Sequence, residues 1–111
     1  MIVAIPTSNG KLCMHFGHCD VFSLIEINDS KQIISKKEVV PPPHEPGILP
    51  PWLASQGVEL ILAGGMGVRA QQLFQEKGVK VLTGVVGELP EDLVRAYLDG
   101  KLVTGENACD H

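Results

Sequence analysis

The sequence has few basic residues. Nine Lys and Arg stand against thirteen Asp and Glu, which gives the chain of 111 residues a formal net charge of -4 at pH 7. The basic residues are scattered, whereas proteins that bind nucleic acid cluster them for contacts with phosphate groups. The composition therefore argues against a nucleic-acid partner and favours a neutral, metallic or tightly localised ligand.

The sequence also has no hydrophobic run of membrane-spanning length. Met1 leads directly into the apolar run 2–5, without the basic segment and the small-residue cleavage site of a signal peptide. Hydrophobic residues make up 44% of the chain and charged residues 20%, as in folded globular proteins. We therefore expect one cytoplasmic domain over 1–103 with no membrane partner, and a mobile tail at 104–111, where hydrophobic periodicity is lost.

Cysteine is sparse, with three residues in the chain. An odd number in a reducing compartment indicates thiols that are free, metal-bound or reactive rather than a disulfide framework. Two of the three lie with two histidines in one stretch of seven residues, at Cys13, His15, His18 and Cys19. This stretch is the main candidate for a functional site.

Apolar runs and turn residues predict an α/β sheet with mixed strands. Strands are expected at 2–5, 21–27, 32–40, 58–63 and 79–83, and helices at 51–56, between Met66 and Gly78, and at 90–98. Pro6 should close the first strand, and the second and third strands should form an antiparallel hairpin. Ligands of such sheets bind beyond the carboxyl ends of parallel strands. If the first and fourth strands are neighbours, the Cys/His stretch meets the glycine-rich turn 64–67 at one edge.

The four Cys and His side chains offer soft sulfur and borderline nitrogen donors, which zinc, copper(I) and iron-sulfur centres prefer. Because the consecutive His18 and Cys19 cannot easily bind one ion together, two or three ligands are expected rather than four. The alternative is structural: Cys19 is a small buried hydrophobe, Cys13 an incidental loop thiol, and the histidines surface groups. Cys109 and His111 could close a site that the loop leaves open, or form an untethered terminus without a role.

Gly64, Gly65, Met66 and Gly67 lie between a predicted strand and a predicted helix. Their backbone N-H groups and the helix dipole could receive an anion, and Arg69 could add positive charge. The turn is neither a dinucleotide fingerprint nor a Walker loop. The alternative is tight strand-to-helix packing, and for Met66 a place in the core.

A cysteine with a histidine could also supply the nucleophile and base of an enzyme, but no local signature of a cysteine-hydrolase family is present. We therefore expect a protein that is not an enzyme. A regulatory or interaction domain that binds a small anion at the glycine turn remains an alternative.

In order and spacing, several short motifs resemble the small dinitrogenase iron-molybdenum cofactor biosynthesis proteins. They are Ile2 to Pro6, His15-Phe16-Gly17 followed by Phe22, Gly64-Gly65-Met66-Gly67 with Arg69-Ala70, Gly78 to Val81, and Tyr97 to Gly100. The resemblance implies a ribonuclease H-like fold with three helices and a mixed five-stranded sheet, in which the first strand is central and lies beside the fourth.

The resemblance also implies a non-catalytic carrier of the iron-molybdenum cofactor or its iron-sulfur precursor. A cluster-assembly or acceptor protein is then a possible partner. His15, Phe16 and Gly17 match the family's loop, and Gly64, Gly65 and Gly67 match the facing turn. Five further donors do not belong to the family pattern, and their predicted role in metal binding rests on their side-chain chemistry alone. They are Cys13, His18, Cys19, Cys109 and His111. Our hypothesis is a metal-sulfur cluster or a single soft metal ion bound where loop and turn meet.

Overall fold

The computed structural model describes residues 1–43 and 47–105 and shows a mixed sheet of six strands with three α-helices. The strands are β1 (Ile2–Ser8), β2 (Lys11–Leu12), β3 (Val21–Ile27), β4 (Ile33–Val39), β5 (Val58–Leu62) and β6 (Lys80–Leu82). The helices are α1 (Leu49–Ser55), α2 (Val68–Glu76) and α3 (Pro90–Leu98). Within the described ranges, no helix has the length and apolar character needed to cross a bilayer.

The strand order is β4-β3-β1-β5-β6, with β2 paired to β1 outside this path. Strand β1 runs parallel to β5 and antiparallel to β3, and β5 runs parallel to β6. The first strand is therefore central and lies beside the fourth predicted strand, as expected. This neighbour relation places the loops after β1 and β5 at the same edge of the sheet.

The prediction of five strands is wrong because a short hairpin adds β2. Asn9 and Gly10 adopt φ values of 56° and 80°, the left-handed conformations of a tight two-residue hairpin turn. This turn folds the chain back, so that Lys11 and Leu12 pair with Ser8 and Thr7. The Asn-Gly pair was recognisable as a turn, but a two-residue strand has no hydrophobic periodicity of its own.

The prediction that Pro6 closes the first strand is also wrong, since β1 continues to Ser8. Proline lacks only an N-H group, and the Pro6 carbonyl still accepts a hydrogen bond from the Cys13 N-H at 2.9 Å. The parallel pairing of β1 with β5 ends at Ala4. Pro6 lies beyond the end of this pairing, so its lack of an N-H group removes no hydrogen bond between β1 and β5. Pro6 is thus tolerated in a central strand near its end.

The two faces of the sheet bury separate hydrophobic clusters, because successive residues of a strand point to opposite sides. Ala4 of β1 packs in the cluster that contains Phe22, Leu53 of α1 and Phe74 of α2. On the other face, Ile5 belongs to the cluster completed by α3. Helices on both sides therefore shield the central strand that leads into the candidate site.

Helix α3 is also tied to the edge strand β4, because Lys36 forms an ion pair with Glu91 in the first turn of the helix. The hydrogen bond from Lys36, more than any other interaction, lowers the pKa of the Glu91 carboxyl below its ordinary value. Glu91 also interacts favourably with the helix dipole, since it lies in the first turn of α3. Its partner on β4 could not be foreseen.

The first two residues of the predicted tail, 104 and 105, are paired with the loop after β6. Thr104 forms an antiparallel bridge with Val85, and the Gly105 N-H donates to the Gly84 carbonyl. Residues 106–111 lie outside the described ranges.

Candidate functional site

The Cys/His stretch and the glycine turn meet at one edge of the sheet, as predicted. The Phe16 N-H donates to the Gly65 carbonyl at 3.0 Å. Met14 lies against Gly64 so closely that a Cβ atom added there would come within 3.4 Å of the Met14 Cα and Sδ atoms. We call the residues of this junction, 13–20 with 64–67 and Arg69, the loop edge.

Both ends of the 13–20 loop are attached to the end of β1. Cys13 follows β2 and donates its N-H to Pro6, while the Asp20 N-H donates to the Thr7 carbonyl at 2.9 Å. Thr7 is itself buried, and its hydroxyl donates to the Val21 carbonyl at 3.2 Å. Thr7 therefore supports the base of the loop, a role that its position in a loop-forming polar stretch did not suggest.

Phe16 holds the loop to the core. Its side chain is 5% exposed, and its ring centroid lies 5.3 Å from that of Phe22 and 5.5 Å from that of Phe74. Phe16 was predicted to bind the cofactor directly, but its side chain points into the protein. Its contribution is to position the backbone and the histidine beside it.

His15, Gly17 and His18 form the exposed part of the loop. A single 3-10 turn spans Phe16–His18, and the His18 N-H closes it by donating to the His15 carbonyl at 3.0 Å. The two imidazole rings stand edge-on with centroids 6.2 Å apart. Both predicted histidine ligands are thus on the solvent side of the loop, where an incoming ligand can reach them.

Cys13 and Cys19 are free and partly buried at the two ends of the same loop. Burial, with smaller contributions from the nearby Cys13 and Asp20, raises the pKa of the Cys19 thiol to about 12. Backbone hydrogen bonds from Cys19 itself and from Thr7 act in the opposite direction without compensating. Cys19 is therefore a neutral thiol at physiological pH.

The described part of the chain has no group of three or more His, Cys, Asp or Glu side chains arranged to hold one metal ion. The His15 and His18 rings lie near each other, and Cys13 and Cys19, at the two ends of the loop, are close enough to interact electrostatically. The other two predicted ligands, Cys109 and His111, lie outside the described residues, so their contribution stays a prediction.

The glycine turn forms the floor of the loop edge. Its carbonyls are bound by neighbours: Gly64 accepts from the Gly84 N-H at 2.9 Å, and Gly65 accepts from Phe16. Gly67 is exposed and is the N-cap of α2, which has no side-chain cap and no acidic residue in its first turn. The positive end of the helix dipole, with the exposed Arg69, thus remains available to an anion.

Two methionines lie near the glycine turn. Met66 was named among the cofactor-binding residues, with a place in the core as the favoured alternative; α2 begins only at Val68, but the Met66 side chain is buried at 1% exposure. Its side chain therefore belongs to the core, and its carbonyl accepts a hydrogen bond from the Gln71 side chain at 2.9 Å. Met14, which was not singled out, has its side chain 55% exposed beside Gly64. A thioether between a cysteine and a histidine was the signal that could have identified it.

The loop after β6 is a further neighbour that sequence reasoning did not assign to the site. Its Gly84 N-H binds Gly64, and its Glu88 carbonyl accepts from the Leu12 N-H at 2.7 Å. The Glu88 carboxylate also lies 3.7 Å from the Lys11 ammonium. This loop supports the glycine turn and the β2 hairpin from the side, as expected of a third loop that follows a parallel strand.

The comparisons with known proteins agree with this architecture. The family model described as dinitrogenase iron-molybdenum cofactor matches residues 1–100. An uncharacterised protein of Methanocaldococcus jannaschii, MJ0580, is 28% identical over 108 residues, which cover 92% of this chain and 89% of the relative.

Two solved structures have the same arrangement of strands and helices. The crystal structure of PH0822 superposes with a TM-score of 0.86 and 32% identity, and the match covers 94% of each chain. The apo form of the orange protein from Desulfovibrio gigas has a TM-score of 0.75 and 22% identity, over 96% of this chain and 93% of that one. At 22% identity, the similarity to the orange protein shows a shared fold only.

Proposed function

This chain belongs to the dinitrogenase iron-molybdenum cofactor family, and from that membership we propose that it is a non-catalytic carrier of a metal-sulfur cluster or a soft metal ion. The cargo would be the iron-molybdenum cofactor, an iron-sulfur precursor or a single thiophilic ion, bound at the loop edge. The same membership supports assigning the sheet to the ribonuclease H-like fold.

The observation that carries the proposal is the junction of the two loops through Phe16 and Gly65. It fixes the exposed His15 and His18 next to the uncapped N-terminus of α2. Metal-sulfur clusters are commonly anionic, and helix N-termini with backbone N-H groups stabilise anions. Imidazole nitrogens on the loop could bind exposed metal atoms of the same cluster, since they are suitable ligands for iron and copper.

The absence of a preassembled set of three ligands in the described residues favours a carrier over a structural metal site. Structural zinc sites enclose the ion with four ligands. A carrier must instead release its cargo, and two donors with backbone N-H groups leave most of a cluster's surface free for transfer. The acceptor in this proposal is a cluster-assembly protein in the cytoplasm, and neither nucleic acid nor membrane is a partner.

The protonated state of Cys19 supports a non-catalytic role. A cysteine nucleophile reacts as the thiolate, and enzymes lower its pKa with a nearby cation or a helix N-terminus. In this loop burial raises the pKa of Cys19 instead. Cys19 is therefore poorly suited to act as a nucleophile.

Gly67 offers a direct test because its Cβ position is open: a Cβ atom added there would meet no other atom within 4 Å, and the residue has an ordinary φ of -63°. Both Asp and Asn are good N-caps and should stabilise α2 equally. Only Gly67→Asp adds a negative charge at the proposed anion site. We expect Gly67→Asp to retain at least about 10-fold less cluster than Gly67→Asn, which corresponds to about 1.4 kcal/mol.

The measurement is metal and sulfide content after anaerobic reconstitution with iron, sulfide and molybdate, followed by desalting. Thermal unfolding of both variants verifies that the fold is unchanged. Equal retention by the Asp and Asn variants would contradict an anion site at this turn. Stabilisation of the wild type by inorganic phosphate, with no retention of cluster, would favour the regulatory anion-binding alternative.

A further inference from the structure

We infer that Cys13 and Cys19 form a two-coordinate site for a single soft monovalent ion, with Cu(I) as the expected metal. This inference rests on the metal-carrying role proposed above and deepens it by naming the metal class. It concerns the thiols at the base of the loop rather than the exposed histidines and the glycine turn.

The backbone holds both cysteines on the same face of the sheet. The Cys13 N-H bond to Pro6 extends the β1-β2 ladder by one residue, so Cys13 lies opposite Pro6. Residues directly opposite in an antiparallel pair share a face, and Pro6 also lies opposite Phe22. Cys19 packs against the hydrophobic cluster that contains Phe22. Both side chains are therefore on the Phe22 side of β1.

The turn of the loop then brings its two ends together. The Cys13 Sγ atom donates to the His15 carbonyl at 3.3 Å, so this sulfur points back into the loop. The same carbonyl accepts the His18 N-H that closes the 3-10 turn, and Cys19 is the C-cap residue of that turn. The two thiols thus flank one short turn, close enough to interact electrostatically.

The number of donors selects the metal. Zinc requires about four ligands in tetrahedral geometry, and the described residues contain no set of even three candidate side chains. Monovalent d10 ions such as Cu(I) and Ag(I) form stable linear complexes with two thiolates, and soft sulfur ligands select copper(I). Binding breaks two S-H bonds and forms two metal-sulfur bonds, so each Cu(I) bound releases two protons and no electron is transferred.

Partial burial of both thiols also suits Cu(I). A site against the hydrophobic cluster excludes part of the surrounding water and limits access of oxidants to the bound ion. The exposed Met14 beside Cys13 offers a thioether at the rim, which is a weaker donor than thiolate and is not required for two-coordinate binding.

The test is an anaerobic competition titration of the reduced full-length chain with Cu(I), using bathocuproine disulfonate as the competing chelator. The wild type should bind one equivalent. Cys13→Ser and Cys19→Ser should each lower Cu(I) affinity at least about 100-fold, because even loss of supporting residues around a metal costs about 10–100-fold. Ser35→Ala, which changes an exposed residue of β4 and removes no thiol, is the control and should bind as the wild type does.

X-ray absorption at the copper edge should show two sulfur neighbours, and thermal unfolding of Cys19→Ser and Cys19→Ala verifies that the half-buried position tolerates the change. Wild-type affinity in both Cys13→Ser and Cys19→Ser would overturn the inference, as would equal loss of binding in Ser35→Ala or nitrogen neighbours at the copper. Cluster retention measured on the same preparations separates the two proposals. Weak Cu(I) binding with full cluster retention overturns the two-thiol site alone.

Discussion

At the scale of single residues, buried side chains position the loop edge, and exposed side chains are accessible to a ligand. Phe16 lies in the core, while His15 before it and His18 after it are exposed. One aromatic ring between polar neighbours therefore fixes where the loop lies without contacting the ligand. The residue type alone does not distinguish such a role from direct binding, which is why Phe16 was predicted as a binding residue.

Phe16→Ala should lower the free energy of unfolding by about 3–5 kcal/mol, as expected for removal of a buried aromatic ring. It should also weaken cluster retention, because the contact that holds the loop against Gly65 loses its support. Phe16→Leu is the control, since it keeps most of the buried volume and should cost less in both measurements. Urea unfolding and metal analysis of the three proteins check this. Normal retention by a folded Phe16→Ala protein would show that the loop position does not matter.

The Cys19 thiol should react slowly in the native protein. Its pKa of about 12, against an ordinary 9.0, leaves a thiolate fraction roughly 1,000-fold smaller near neutral pH. In a Cys13→Ser/Cys109→Ser background, iodoacetamide should modify Cys19 far more slowly in the folded state than in urea. Equal rates in the two states would contradict the effect of burial.

The same shift predicts a pH dependence of stability. Because folding raises the pKa, the folded state favours the protonated thiol. Its contribution to stability is complete below about pH 9 and is lost as the pH rises towards 12. Removing the thiol with Cys19→Ala should flatten the stability profile in this window.

At the scale of elements, the sheet places the site and the helices protect it. The neighbour relation of β1 and β5 brings the Cys/His loop to the glycine turn, and the β1-β2 hairpin returns the chain to the end of β1. Hydrophobic runs predicted β3 at the observed boundaries, and Pro90 with a helical apolar pattern predicted α3. Both elements have strong periodicity and clear stop signals, so local sequence was sufficient.

The elements that sequence predicted poorly depend on partners outside their own segment. Two residues of β2 become a strand only because Thr7 and Ser8 are available to pair with them. Likewise, β1 passes through Pro6 because Cys13 supplies a donor to its carbonyl. Burial of Met66 ahead of α2 is set by packing between elements rather than by helical spacing. Each of these features depends on a pairing or packing partner and not on the periodicity of its own segment, and the resemblance supplied only the strand order.

The ion pair between Lys36 and Glu91 should make a small, pH-dependent contribution to the docking of α3 on β4. Both side chains are about a third or more exposed, so Glu91→Gln should cost less than about 1 kcal/mol at pH 7. The pKa of Glu91 is lowered, so this contribution is present above the ordinary value of 4.5 and is lost as the pH falls through the folded-state pKa.

Urea midpoints of the wild type and Glu91→Gln at pH 7 and at pH 2.5 check this prediction. Asp92→Asn is the control, because Asp92 is well exposed and its only described ion pair is with Arg95, 3.7 Å away. It should change stability less than Glu91→Gln does. A difference between wild type and Glu91→Gln that persists unchanged at low pH would rule out the ion pair as its source.

At the scale of the whole molecule, the protein is a small sheet whose two faces are covered and whose carboxyl edge holds three loops. Sequence alone indicated the edge, the metal-binding residue types and the family. It did not indicate that the donors are arranged in pairs, since pairing depends on a 3-10 turn and on which side chains the core accepts. The described residues therefore suit either a metal-sulfur cluster, which already contains sulfide ligands, or a single metal ion that needs few protein ligands.

The most direct test of the carrier function is elemental analysis of the chain after anaerobic reconstitution with iron, sulfide and molybdate and removal of small molecules. The account predicts metal and acid-labile sulfide that elute with the protein in a fixed ratio to the chain, with a visible absorption band. It further predicts that this content is lower in Gly67→Asp than in Gly67→Asn. Complete separation of metal and sulfide from the folded wild-type protein would contradict it.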